Sequence, residues 1–180
     1  MGRYRPPEPE KTPIITAAGF SRLRQELNHL WKVKRPEVTA RVAAAAALGD
    51  RSENADYIYG KKQLAEIDHR IRYLDKRIRT MQVVDRPPND SNKIYFGAWV
   101  TLTSVEGDHK PRYRLVGPDE IDEKPEYISI DSPMAKALLG KTLGDEIAIV
   151  QSATSTKVLT FEQTAEPTRY WIHSIVYSAN

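Results

Sequence analysis

Gly49-Asp50-Arg51-Ser52-Glu53-Asn54-Ala55-Asp56 interrupts two long helical patterns and sets acidic side chains at the break. Gly49 ends a helix, and Asp50, Ser52 and Asn54 are turn and cap residues that bond nearby backbone and compete with helix propagation. The tract therefore reads as a connector. Upstream, Phe20, Leu23, Leu27 and Leu30 step by three, four and three, and Trp31, Val38, Val42 and Ala45 extend the apolar stripe. Downstream, Leu64, Ile67, Ile71, Leu74, Ile78 and Met81 repeat those steps. Such a seam buries two antiparallel helices against one another and leaves the acidic tract at the tip of a hairpin.

Thr16 fits the N-cap of the first helix and Gly49 its stop, which gives about 30 residues or roughly 45 Å. Pro36 removes a backbone donor and clashes with the preceding turn, so a kink or break is expected near Lys34 to Pro36.

Charge divides the chain. Residues 1–86 hold 18 Lys or Arg against 11 Asp or Glu, net +7, while residues 87–180 hold 9 against 13, net −4. A basic arm on an acidic body suits an arm that meets polyanion and a body that docks elsewhere. The absence of cysteine excludes disulfides and thiolate metal sites and suits a reducing cytoplasm. The four histidines, His29, His69, His109 and His173, lack ligand spacing. No apolar run approaches the roughly 18 residues of a membrane span, and residues 1–12, with three prolines and almost nothing apolar, read as a disordered leader.

Arg86-Pro87-Pro88-Asn89-Asp90-Ser91-Asn92 is a turn-rich boundary. It separates a hairpin domain over 13–86 from a second domain over 93–180. In the latter, strands are expected at Ile94 to Leu102, Tyr113 to Val116, Tyr127 to Ile130, Glu146 to Val150, Lys157 to Phe161 and Arg169 to Tyr177, with a hairpin turn at Glu106 to Asp108. Ser132 as N-cap, Pro133 at the first helical position and Gly140 as stop bracket one short helix. The class is α+β: a coiled-coil hairpin followed by a small antiparallel sheet carrying one helix.

The tip tract with Tyr57, set between two coiled-coil helices, closely resembles the bacterial Gre transcript cleavage factors. The resemblance extends to Lys34-Arg35-Pro36-Glu37-Val38-Thr39, Phe96-Gly97-Ala98-Trp99-Val100 and Tyr127-Ile128-Ser129-Ile130-Asp131-Ser132-Pro133-Met134-Ala135. It runs from about Thr12 to Tyr177 in the family's order. It implies an FKBP-like second domain that docks on RNA polymerase, and a coiled coil that enters the secondary channel to stimulate cleavage of backtracked RNA.

By that resemblance Asp50 and Glu53 are the tip carboxylates, Asp50 helping to hold a Mg²⁺ shared with the polymerase and Glu53 positioning the attacking water. Two carboxylates on a loop cannot hold Mg²⁺ tightly unaided, so a factor that is not itself a nuclease is expected. From spacing alone, Asp50 and Glu53 equally fit a capping-box start to the second helix.

Arg41, Arg51, Lys61 and Lys62 near the tip are candidates for contacting phosphates of the nascent RNA 3′ end, or for a solvated helix face. Tyr57 and Tyr59 fit either base stacking or closure of the coil. Arg70, Arg72, Lys76, Arg77 and Arg79 lie farther along and suit channel-wall electrostatics or solubility. Asp131, Ser132 and Pro133 match the family's polymerase-docking motif, Ser132 and Pro133 also serving as a cap, with Asp131 expected to be the freest for an intermolecular contact. A monomer with no membrane partner is expected. The alternatives are a channel-binding inhibitor of the same shape, whose tip generally differs, a prolyl isomerase using Trp99, Tyr113, Phe161 and Trp171, and an autonomous nuclease, for which further ligands are lacking.

Overall fold

A computed structural model describes residues 10–49, 51, 53–104, 110–149 and 168–177. Its elements run β1 (Ile14–Thr16), α1 (Ala17–His29), a π-helical segment (Leu30–Lys34), α2 (Arg35–Ala47), α3 (Ala55–Thr80), β2 (Gln82–Val84), β3 (Trp99–Ser104), β4 (Arg112–Val116), β5 (Tyr127–Ser129), α4 (Pro133–Leu138), β6 (Glu146–Ile149) and β7 (Thr168–Val176). The expected turn at Glu106 to Asp108, the strand at Lys157 to Phe161 and leader residues 1–9 lie outside the described residues. The chain forms two compact units, a helical one over Ala17–Val83 and a second that joins the segment before Ala17 to the chain from Val84 onward.

In the helical unit the 26 residues of α3 extend about 39 Å. Ile67, Ile71 and Leu74 are buried along one stripe, as their three-four spacing requires. Val38, Ile67 and Ile71 form the packed centre, flanked by Leu27, Leu30, Val42 and Leu64. Gly60 marks the close approach of the two helices. A Cβ there would stand 2.6 Å from Cγ2 of Val42.

The first helix is not one α-helix with a kink. Pro36 lies in the first turn of α2, and the five residues before Arg35 adopt the wider π form, in which the Arg35 amide donates to the Leu30 carbonyl five residues back. A proline inside a regular helix would drive its ring into the carbonyl four residues upstream, and one wide turn immediately before it relieves that crowding. The extra residue rotates the stripe. Trp31, expected on the seam, is 57% exposed, and its ring instead carries the Arg35 guanidinium 5.7 Å from the centroid. Arg35 also pairs with Asp68 at 2.8 Å.

The second unit centres on a five-stranded sheet in the order β5-β4-β3-β7-β6. The β3–β4, β3–β7 and β6–β7 pairings are antiparallel, but β5 joins β4 in parallel. Strand β3 is shorter than its apolar run. Ile94 and Ala98 are buried ahead of it without extending it, because the chain turns at Gly97, φ +85°, where the Ala98 amide donates to the Tyr95 carbonyl at 3.3 Å. Val100, Leu102, Ile147, Ile149, Tyr170 and Ile172 alternate into one face, where Ala135 and Leu138 of α4 cover them. Ser132 caps α4 by accepting from the Ala135 amide at 3.2 Å.

Among the described residues of this unit, one carboxyl side chain is buried. Glu120 is 1% exposed and accepts from the Gly117 amide at 2.9 Å, from the Thr16 amide at 3.1 Å and from the Thr16 hydroxyl. Those donors offset the cost of removing its charge from water. Thr16 thus stands directly before α1, as a cap residue would, with its hydroxyl directed to this carboxylate. The contact requires Gly117 to be glycine, since a Cβ there would meet the Ile14 carbonyl oxygen at 2.2 Å. Gly117→Ala is therefore expected to destabilise this unit by roughly 2 kcal/mol, read as a fall of several degrees in its thermal midpoint, whereas an unchanged midpoint would mean that β1 is not held this way.

Candidate functional site

The turn between α2 and α3 is built by one amide. Asn54 is the N-cap of α3: its Oδ1 accepts from the Tyr57 amide at 3.1 Å, while its Nδ2 donates to the Ala45 carbonyl of α2 at 3.0 Å. A single side chain thus satisfies one free donor at the start of one helix and adds a second donor to the Ala45 carbonyl at the end of the other, which also accepts from the Leu48 amide at 3.2 Å. Gly49 follows the last turn of α2 at φ +112°, a conformation that costs a residue with a Cβ and that glycine adopts freely.

This geometry corrects the capping-box expectation. The helix begins after Asn54, so Glu53 precedes the N-cap instead of occupying the third helical position that a capping box requires. Glu53 and Arg51 are exposed in the turn. Asp50 and Ser52 lie outside the described residues.

Arg41 on α2 donates to Gln63 on α3 at 2.9 Å. Both border a recess of about 420 Å³ shared with Leu48, Asp56, Tyr59 and Gly60. Lys61 and Lys62 are exposed on α3. The two tyrosines part company: Tyr57 is half-buried at the turn, whereas Tyr59 is 72% exposed at the recess. Leu48, 82% exposed, was not legible as a surface residue. The alanine run before it has no large side chain to mark which face is buried, and Leu48 itself lies just beyond α2.

Arg70 and Arg79, farther from the tip, are paired within the hairpin. Arg70 grips Glu26 with two bonds, of 2.7 and 2.9 Å, and Arg79 pairs with Asp75 at 3.0 Å. Among the described residues no three acidic or histidine side chains gather as a cation cage.

The second candidate site is the loop before α4. Pro133 is exposed and opens the helix that Ser132 caps. Asp131 is not as free as expected. Its two carboxylate oxygens accept from the amide and from the hydroxyl of Thr12, 119 residues away, and its own amide donates to Ser129 Oγ at 3.1 Å. Thr12, placed by composition at the end of a disordered leader, is therefore tied to this loop. Trp99 and Trp171 occupy the face of the sheet opposite Tyr113, which shares the register and face of Val100. These aromatic residues do not converge on one pocket.

The architecture has counterparts of known kind. Residues 13–83 match the family model described as transcription elongation factor, N-terminal, and residues 88–163 match transcription elongation factor, GreA/GreB, C-terminal. The chain belongs to the GreA/GreB family of transcription elongation factors. Among its relatives, transcription elongation factor GreB of Pseudomonas aeruginosa is 58% identical over 83% of this chain and 88% of that protein. GreB of Xanthomonas axonopodis pv. citri is 55% identical over 81% and 87%. Among solved structures, the GreA factor homolog 1 of Thermus thermophilus aligns with 91% of this chain and 97% of its own at 22% identity and a TM-score of 0.39. A GreA/GreB factor from Nitrosomonas europaea aligns with 92% and 100% at 19% identity and 0.40.

The tip of this Gre factor depends on Asn54. Asn54→Ala is expected to lower the stability of the hairpin by about 1–2 kcal/mol, followed as loss of helical circular dichroism on heating. Asn54→Asp keeps the acceptor for Tyr57 but loses the donor to Ala45, so it should fall between the two; equal stability of all three proteins would remove the amide from this role.

Proposed function

We propose that this chain docks on RNA polymerase through its sheet domain, inserts the hairpin into the secondary channel and stimulates endonucleolytic cleavage of nascent RNA in backtracked complexes. The observation that supports the reading is the turn itself. In a member of the GreA/GreB family, a carboxylate, Glu53, stands exposed between two long helices and ahead of the N-cap, where capping does not require it.

Mg²⁺ takes six oxygens in near-ideal octahedral geometry, and the tip's side chains supply too few to hold it alone. The donor set fits an ion shared with the polymerase and the RNA phosphates, with Asp50 and Glu53 as this chain's contribution. Such an ion, when bound, stabilises charge on the attacking and leaving oxygens of phosphodiester hydrolysis. Asp50 offers an oxygen ligand, and Glu53 orients the attacking water by accepting its proton. The isolated chain then has no nuclease activity of its own.

Arg41, Arg51, Lys61 and Lys62 give the tip a cationic surround that suits phosphates of the extruded RNA 3′ segment, so crosslinking of RNA to the tip should weaken as salt rises. The loop Asp131-Ser132-Pro133 is the docking element. A GreB-like factor of this kind acts in the cytoplasm as a monomer.

In a stalled, backtracked complex, Asp50→Asn and Glu53→Gln should each slow transcript cleavage on the order of 100-fold while competing for polymerase as well as the unaltered protein. Near-normal cleavage by Asp50→Asn would remove that carboxylate from the chemistry. Cleavage of free RNA by the purified factor would instead make it a nuclease in its own right.

A further inference from the structure

Among the described residues of the sheet domain, three threonine–carboxylate contacts differ in what holds them. Thr142 donates both its amide and its hydroxyl to one oxygen of Asp145, at 2.8 and 3.1 Å, within a local turn. Thr16 does the same to both oxygens of the buried Glu120. Thr12 repeats the two-oxygen pattern on Asp131, but at the surface. Parting Thr16 from Glu120 would strand a buried charge, whereas parting Thr12 from Asp131 exposes both partners to water that can replace each bond. The first two contacts are structural. The third can be exchanged.

The geometry of the third contact says for what. One N–H and one O–H meet the two oxygens of a single carboxylate side by side, which is the pattern a planar guanidinium presents with its paired N–H groups. We propose that the Asp131 loop receives a bidentate donor, an arginine guanidinium of the docking partner, and that Thr12 is the intramolecular competitor which occupies that edge of the carboxylate in the free protein. This rests on the reading of Asp131 as a polymerase-docking residue.

The surroundings suit such an exchange. Beside Asp131 lies a recess of about 390 Å³ bordered by Lys11, Pro118, Ile121, Ser129 and Lys136. Ile121 is an exposed apolar side chain, so an arriving arginine would find an apolar surface for its stem beside the carboxylate for its head. Ser132 keeps the Asp131 loop fixed through α4 whether or not Thr12 is in place. The loop therefore need not refold when the segment before β1 lets go.

Competition has a sign that positioning does not. If Thr12 occupies the site, Thr12→Val, which deletes the hydroxyl donor and keeps the shape, raises affinity for RNA polymerase about three- to tenfold. Thr12→Ser, which keeps the hydroxyl, stays near the unaltered value. The full-length variants are titrated against core polymerase in competition with labelled factor, with thermal midpoints measured alongside. Unchanged or weakened binding by Thr12→Val at an unchanged midpoint would overturn the proposal. Asp131→Ala serves as the separate arm: if it leaves affinity unaltered, the docking assignment itself fails, whatever Thr12 does.

Discussion

The bond pair made by Asn54 is the constraint on which the working end of the hairpin depends. A helix that stops leaves carbonyls without partners, and a helix that starts leaves amides without partners. Here one carboxamide serves both, joining the Ala45 carbonyl to the Tyr57 amide. Only an amide can do this, because a carboxylate has no donor and a hydroxyl is too short to span both. With α2 and α3 tied at their ends, Gly60 lets the helices close on Val42 without a Cβ between them. Among the described residues of the turn, Arg51 and Glu53 are exposed.

The same logic separates what the residues reveal in advance from what they do not. The stripe in α3 was legible because its period is uninterrupted from Leu64 to Met81, and Ile67, Ile71 and Leu74 are buried accordingly. The stripe before it failed at Trp31, since a π turn shifts the phase by one residue and spacing alone cannot announce where the period changes. Pro36 was the signal: it located the irregularity without specifying its form. In the sheet domain, Ser132, Pro133 and Gly140 bracket α4 through local bonding and so could be read locally. The parallel pairing of β5 with β4 could not, because alternation records which face is buried and says nothing of a neighbour's direction.

The candidate site divides in the same way. Glu53 and the tip cations were readable as residues, but which side chain caps α3 was not, since Asp50, Ser52 and Asn54 are all chemically able to do it. The tie between Thr12 and Asp131 joins positions 119 residues apart. No periodicity or local turn rule reaches that distance.

Charge along the hairpin is graded by pairing as well as by composition. Arg35, Arg70 and Arg79 of the shaft pair with Asp68, Glu26 and Asp75. Near the tip, Arg41 is held by the neutral amide of Gln63. An uncharged partner fixes the side chain's direction without cancelling its field. Exposed ion pairs contribute little to stability. The shaft's pairs therefore matter little as struts, and by composition the shaft stays the more basic part of the hairpin, since residues 41–63 hold 4 Lys or Arg against 3 Asp or Glu.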